Sequence, residues 1–305
     1  MVEWYLINPQ KYPERMTFND NARLDPSKVS RRGRNTAIGV GGGGVLVLVL
    51  FLVSQFLGVD LTGLAGGGQQ QPVQEESLEH CKTGADANAD QDCLIVGAVN
   101  SLDAYWSEFL PTQGVDYRPT ADVVLFEGGT STGCGQASSA TGPFYCPADE
   151  KIYMDTGFFA ELANRFGGSD DPLAIAYVVA HEYGHHIQNI SGIMSNLNLR
   201  DTGPASDGVR LEVQADCFAG AWVGAAATTR DQDGNTFLKP PTEAEIRDAL
   251  DAAASVGDDR IQSQTQGQVT PETWTHGSSE MRQRWFLAGY QGGPNACNTF
   301  EVAQP

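Results

Sequence analysis

Three kinds of hydrophobic pattern divide the chain. The first is a continuous run from Ala37 to Val59, AIGVGGGGVLVLVLFLVSQFLGV, without a single charged residue. As a helix it would extend about 34 Å, enough for a hydrocarbon core of roughly 30 Å, and glycine is tolerated in membrane helices. The run predicts one transmembrane helix over residues 37–59. A cleaved signal peptide is the alternative, since LTGLAGGG supplies small residues after the run. Both the run and the leader before it are long for that role.

The second pattern is short and strand-like: DVVLFEGG and EKIYMD, with CPAD as turn chemistry before the latter. The third has helical spacing. CLIVGAVNSLDAYWSEFL follows a capping Asp92 and stops at Pro111, and FFAELANRF is closed by Gly167 and Gly168. AYVVAHEYGHHIQNI lies in a helix capped by Asp170 or Asp171, with Pro172 at its first position. GVRLEVQADCFAGAWVGAAATT, TEAEIRDAL and SSEMRQRWFLAGY predict three more helices, and Thr242 and Glu245 have the spacing of a capping box. Strands precede the helices, so the expected class is α+β: a mostly helical domain with a small N-terminal sheet.

Charge sharpens this division. Residues 1–36 hold seven Lys/Arg against four Asp/Glu, leaving 12 against 34 downstream, within a net charge of -19. Such an acidic bulk argues against binding nucleic acid. Arg31, Arg32 and Arg34 immediately precede the apolar run, and positive residues stay cytoplasmic. The expected organisation is a cytoplasmic tail (1–36), a membrane helix in the lipid bilayer (37–59), a polar spacer (60–79) and an extracytoplasmic domain (80–305). MTFNDNARLDPSKVSRRGRN also reads as a natural start at Met16.

All six cysteines, Cys81, Cys93, Cys134, Cys146, Cys217 and Cys297, follow the apolar run. An even count in an oxidising compartment fits three disulfides, for which 15 pairings exist. The favoured set joins the near neighbours, Cys81–Cys93 and Cys134–Cys146, leaving Cys217 with Cys297.

The chemistry concentrates in His181-Glu182-Tyr183-Gly184-His185, a match to H-E-x-x-H. On a helix, residues i and i+4 share a face, so His181 and His185 can reach one zinc ion while Glu182 takes a proton from water. A buried helix carrying these groups without an ion would strand polar atoms. Gly184 costs about 1 kcal/mol against Ala in a helix, which implies a close approach by metal, substrate or backbone. The longer motif ending in a third histidine is excluded, because Gln188 and Ser191 stand where its Gly and His belong. LEVQAD instead offers Glu212 as third ligand, and Asp216, on the same helical face, as the acceptor that orients a ligand histidine.

At this point the chain resembles the neutral zinc metallopeptidases, single-pass bacterial membrane proteins. The likeness rests on MTFNDNARLD, the Gly-rich apolar segment, YCPADEKIYMD, HEYGHHIQ, LEVQADCFAGAW and THGSSEMRQRWF. It implies a zincin-like fold of the glutamate-ligand type, one zinc ion held by His181, His185 and Glu212, Glu182 as base and Asp216 behind the first histidine. His276, opening the last helix, is a candidate oxyanion donor and Tyr183 a weaker one. His186 points about 100° away from the ligands. His80 reads as a surface residue.

The function expected is zinc-dependent hydrolysis of peptide bonds in a peptide or protein of the cell envelope, with KIYMD as an edge strand for an extended peptide. A non-catalytic zinc-stabilised binding domain, or an amidase acting on a non-peptide bond, shares the same residues. The acidic stretches Asp86–Asp92 and Asp231–Asn235 lack the turn glycine or the closing glutamate of a calcium loop.

Overall fold

Three distant parts of the sequence meet in one sheet. The computed structural model describes residues 18–33, 75–166, 169 and 171–305. Strands β1 (Val29–Arg32), β2 (Glu75–Glu76) and β3 (Asp122–Phe126) join β6 (Phe144–Cys146) and β7 (Lys151–Asp155) in the order β2-β1-β3-β7-β6. β1, β3 and β7 run parallel, while β2 and β6 flank them antiparallel. Strands β4 (Gly129–Thr132) and β5 (Gly135–Ser138) form a separate hairpin.

The apolar runs of β3 and β7 are buried on both faces, as central parallel strands require. Val123, Leu125, Ile152 and Met154 pack into the helical core, whereas Val124, Phe126 and Tyr153 pack with Phe144 and Ala137 on the other side. KIYMD therefore lies inside the sheet and not at its edge. β6 is the edge strand on that side, a part of the sequence whose three-residue length gives no periodic signal.

The position of β1 overturns the expected membrane topology. Arg31 and Arg32 pair with Glu76 and Glu75 of β2, so the chain leaves the sheet before the apolar run and returns to the neighbouring strand after it. A single passage through a bilayer would place those paired residues on opposite sides. The arginines taken as a cytoplasmic flank serve the domain instead. Arg31 binds Asp92 and Glu127, each at 3.0 Å, and Arg32 donates to the Ser131 carbonyl at 2.8 Å. Phe18 is buried as well, so tight against α2 (Gln91–Thr112) that a Cβ on Gly97 would lie 2.5 Å from its ring. Among the described residues no helix is long and apolar enough to cross a membrane. The proposed bilayer contact at residues 37–59, and Met16, lie outside the described residues. The β1–β2 pairing contradicts an inside N-terminus with an extracytoplasmic domain.

Eight α-helices are described, giving a mixed α+β fold with small sheets. α1 (Gly84–Ala89) precedes α2, and α3 (Phe158–Phe166) leads into α4 (Pro172–Ile190), the helix of the HEYGH motif. Then come α5 (Asp207–Ala225), α6 (Glu243–Ser255), α7 (Asp258–Gln266) and α8 (Ser279–Gly292). Capping chemistry sets several starts. Ser206 and Ser278 accept from the third residue inside α5 and α8, and Thr242 and Glu245 complete a capping box on α6. Asp90, rather than Asp92, caps α2, freeing Asp92 for Arg31, and Pro111 falls inside the last turn.

α5 and α8 touch backbone to backbone. A Cβ on Gly220 would lie 1.9 Å from the Phe286 carbonyl oxygen, and one on Gly289 would lie 1.8 Å from that of Cys217. The disulfides are Cys81–Cys93, Cys134–Cys146 and Cys217–Cys297, the favoured set. The third anchors the C-terminal segment to the middle of α5.

Candidate metal centre

Gly184 lets α4 and α5 come together. A Cβ there would stand 3.1 Å from the Cα of Ala215, so the close neighbour implied by this glycine is the backbone of the second helix. The approach carries Glu212, one turn before Ala215, to the histidine pair on α4. His181 Nε2 lies 3.3 Å from Glu212 Oε2, and His185 Nε2 lies 3.5 Å from Glu212 Oε1. The three ligand atoms that could hold an ion lie within 4.8 Å of one another, and all three residues are buried.

The far side of each imidazole fixes what the near side offers. Asp216 Oδ1 lies 2.8 Å from His181 Nδ1, so that nitrogen donates to the carboxylate. Gln188 uses its amide nitrogen on the Leu211 carbonyl at 2.7 Å, which turns its oxygen toward His185 Nδ1 at 2.8 Å. His185 Nδ1 must therefore donate as well. Both Nε2 atoms are left facing one carboxylate, the orientation that second partners impose on metal-bound histidines.

Electrostatics describe the same balance. Burial pulls the His181 pKa down, but the charge and hydrogen bond of Asp216 outweigh it and raise it to about 10. Burial alone would raise Glu212, yet His185, His181 and His276 hold its carboxyl well below the usual range. Asp216 is held to about 2, because Arg282 and His181 overcome burial. Without a cation, a proton on the histidine faces the Glu212 charge. A dication would suit the same place, since two imidazole nitrogens and a carboxylate oxygen are a donor set that zinc accepts.

Glu182 is buried beside this cluster and feels the charges of His181, His185 and Glu212. Desolvation dominates and raises its pKa, so it holds a proton more readily than a solvated glutamate does.

His276 arrives on the loop between α7 and α8. Asp258, at the start of α7, accepts from the backbone N–H groups of Thr275, His276 and Gly277 at 2.7, 2.7 and 3.0 Å, and faces His276 Nδ1 at 3.2 Å. His276 Nε2 is buried with no protein partner. A charge on the ring lowers the Glu212 pKa, and Glu212 in turn helps to raise that of His276.

Other candidates are accounted for elsewhere. The Tyr183 hydroxyl lies 2.6 Å from that of Tyr117 and bonds Asp103, so it is committed away from the histidine pair. His186 is fully buried between the Arg118 carbonyl and the Tyr145 hydroxyl, a packing role. His80, Cys81, Asp90 and Cys93 cluster closely, but the two sulfurs are joined to each other. Asp86 closes the capping box of α1 with Thr83 and Asp90 caps α2, while Asp231 binds the backbone of Arg23, Asp233 and Asn235.

Four roles in the centre escaped the sequence reading: Gln188 behind His185, Asp258 behind His276, and two residues around Asp216. Arg282 on α8 and Tyr177 on α4 both bind Asp216. Tyr177 precedes His181 by one helical turn, a spacing that could have marked it. Arg282 had no such signal, because its partners are 66 and 105 residues away.

The arrangement is a buried two-histidine, one-glutamate cluster that could hold a metal ion, with an acidic group beside it. The chain belongs to the family described as "Putative neutral zinc metallopeptidase", whose profile matches residues 13–300. It is 48% identical over 298 residues to the uncharacterized protein Rv2575 of Mycobacterium tuberculosis, covering 94% of this chain and 99% of that one. The uncharacterized protein YpfJ of Escherichia coli K12 is 38% identical over 267 residues, covering 85% and 87% respectively. No solved structure matches the chain.

Proposed function

We propose that this protein is a zinc-dependent peptidase of zincin-like fold, holding one zinc ion between His181, His185 and Glu212. The observation that carries this reading is the convergence of two oriented Nε2 atoms on the Glu212 carboxylate, with Glu182 buried next to them. A purely structural site would be closed by a fourth protein ligand and would not require a neighbouring base.

Zinc supplies Lewis acidity, polarising a substrate carbonyl and making water easier to deprotonate. Glu182 accepts the proton of the attacking water and returns it to the departing amine nitrogen, a role its buried place beside the cluster allows. His276, turned by Asp258 so that Nε2 is unpartnered, donates from that atom to the developing oxyanion when the ring is protonated. Asp216 and Gln188 keep the two ligand rings in place throughout.

The test is a peptide-library digest by the full chain with zinc, beside Glu182→Gln. The wild type is expected to cut, and the variant to bind zinc while losing about 100-fold or more in rate. A wild type that binds zinc and cuts nothing would sink the peptidase reading in favour of a binding domain or a non-peptide substrate.

A further inference from the structure

Arg282 is buried to 3% exposure, and its contacts reach α4, α5 and the end of α6 together. Its Nε donates to Asp216 Oδ2 at 2.8 Å and one terminal nitrogen donates to Asp216 Oδ1 at 2.9 Å, a two-pronged grip on the carboxylate. The same nitrogen lies 3.3 Å from the Tyr177 hydroxyl, and the other lies 3.3 Å from the Val256 carbonyl. Tyr177 in turn donates to Asp216 Oδ1 at 2.5 Å.

Taken with His181, these contacts direct four donor groups at Asp216, about as many as a carboxylate has lone-pair sites. Asp216 is fully buried, so no water competes for them. The planar guanidinium fixes the plane of the carboxylate, which a point-charged ammonium cannot do. Fixing that plane fixes the direction from which His181 Nδ1 is held.

A buried ion pair is costly and is weak evidence for a stabilising role. Nor does the α5–α8 contact depend on Arg282. The backbones already touch at Gly220 and Gly289, and the Cys217–Cys297 disulfide starts one residue from Asp216. What Arg282 adds is a rigid back wall for a ligand histidine.

We propose that Arg282 is a positioning residue of the metal centre: through Asp216 and Tyr177 it holds the His181 ring with Nδ1 turned to the buried Asp216 carboxylate and Nε2 turned toward Glu212 and His185. Removing its fork frees Asp216 to rotate and lets the ring leave the ligand geometry. The inference rests on the metal reading above, but not on any peptide being cut.

The experiment is zinc affinity of the full chain by chelator competition, for wild type, Arg282→Lys and Tyr177→Phe. It is joined by the visible spectrum of the cobalt-loaded proteins and by thermal unfolding of the metal-free forms. Arg282→Lys is expected to weaken zinc binding about 10- to 100-fold and to alter the cobalt spectrum, as loss of a ligand's outer partner does. Tyr177→Phe keeps the volume and the arginine, so a smaller loss in the same direction is expected, and it serves if the lysine variant fails to fold. Should both variants lose thermal stability while zinc affinity and cobalt spectrum match the wild type, Arg282 is a helix staple and the inference falls. A wild type that binds no zinc would overturn the metal reading itself, and this inference with it.

Discussion

The Gly184 Cα–H faces the Ala215 backbone across the α4–α5 contact, where a Cβ would stand 3.1 Å from the Ala215 Cα and 3.2 Å from its carbonyl oxygen. The separation of these helices sets how far Glu212 reaches toward the histidines. Gly184→Ala gains about 1 kcal/mol of helix propensity but overpacks a contact with no flexible side chain to yield, at about 1–3 kcal/mol. The expected result is a net loss of up to about 2 kcal/mol and weaker zinc binding. Chemical unfolding and chelator competition read the two effects. A variant equal to the wild type in both would show that the helix spacing is not what holds the centre.

Zinc itself should stabilise the fold, because the ligands come from two helices and the ion binds only when both are docked. At a thousandfold excess over its Kd, a ligand confined to the native state adds about 4 kcal/mol. Calorimetry with zinc and then with a strong chelator should show a fall in Tm on stripping. Glu212→Gln should abolish most of the difference, and Glu182→Gln should keep it. A loss with Glu182→Gln equal to that of the ligand variant would make Glu182 a ligand rather than a base.

The His276–Asp258 pair predicts a pH signature. Burial lowers His276, but the charge and hydrogen bond of Asp258 raise its pKa above the ordinary histidine value on balance. Burial raises Asp258, and His276 with the loop amides lowers it further than that. The histidine contribution to stability is therefore complete below about pH 6.5 and is lost as pH rises through the folded value; the aspartate contribution is present above about pH 3.9 and is lost on acidification. Asp258→Asn should remove stability within that window and shift the alkaline limb of kcat downward in pH. His276→Ala should lower kcat with zinc affinity retained. An unmoved alkaline limb in Asp258→Asn would separate the pair from the chemistry.

The sequence made local relations readable and long-range ones opaque. His181 and His185 on one face, Glu212 with Asp216, and Thr242 with Glu245 follow from helical spacing, and the structure has each of these pairs on its helix. Cys81–Cys93 and Cys134–Cys146 were legible for the same reason, each spanning 12 residues. Arg282 was not, because its burial depends on how α8 lies across two other helices. The edge strand was misplaced because an apolar five-residue run looks alike at the edge and in the centre of a sheet. The membrane topology failed because Arg31 and Arg32 were weighed against a neighbouring apolar run, when their partners were Asp92, Glu127 and the Ser131 carbonyl.

The folded unit includes β1 and Phe18, which precede the apolar run. A chain cut to residues 75–305 would lose β1, leaving β3 unpaired on one side and β2 without a neighbour. It would also lose Phe18, which closes on α2 and whose backbone N–H binds the Asn88 side chain at 2.7 Å. Removing one fully buried phenylalanine costs about 3–5 kcal/mol, a large part of the 5–15 kcal/mol that holds a typical domain. Phe18→Ala in the full chain should lower stability by that amount, and the 75–305 fragment should be insoluble or lack a cooperative transition. Circular dichroism melts of the three proteins decide the matter. A fragment melting at the wild-type temperature would mean that β1 and Phe18 rest on a domain complete without them.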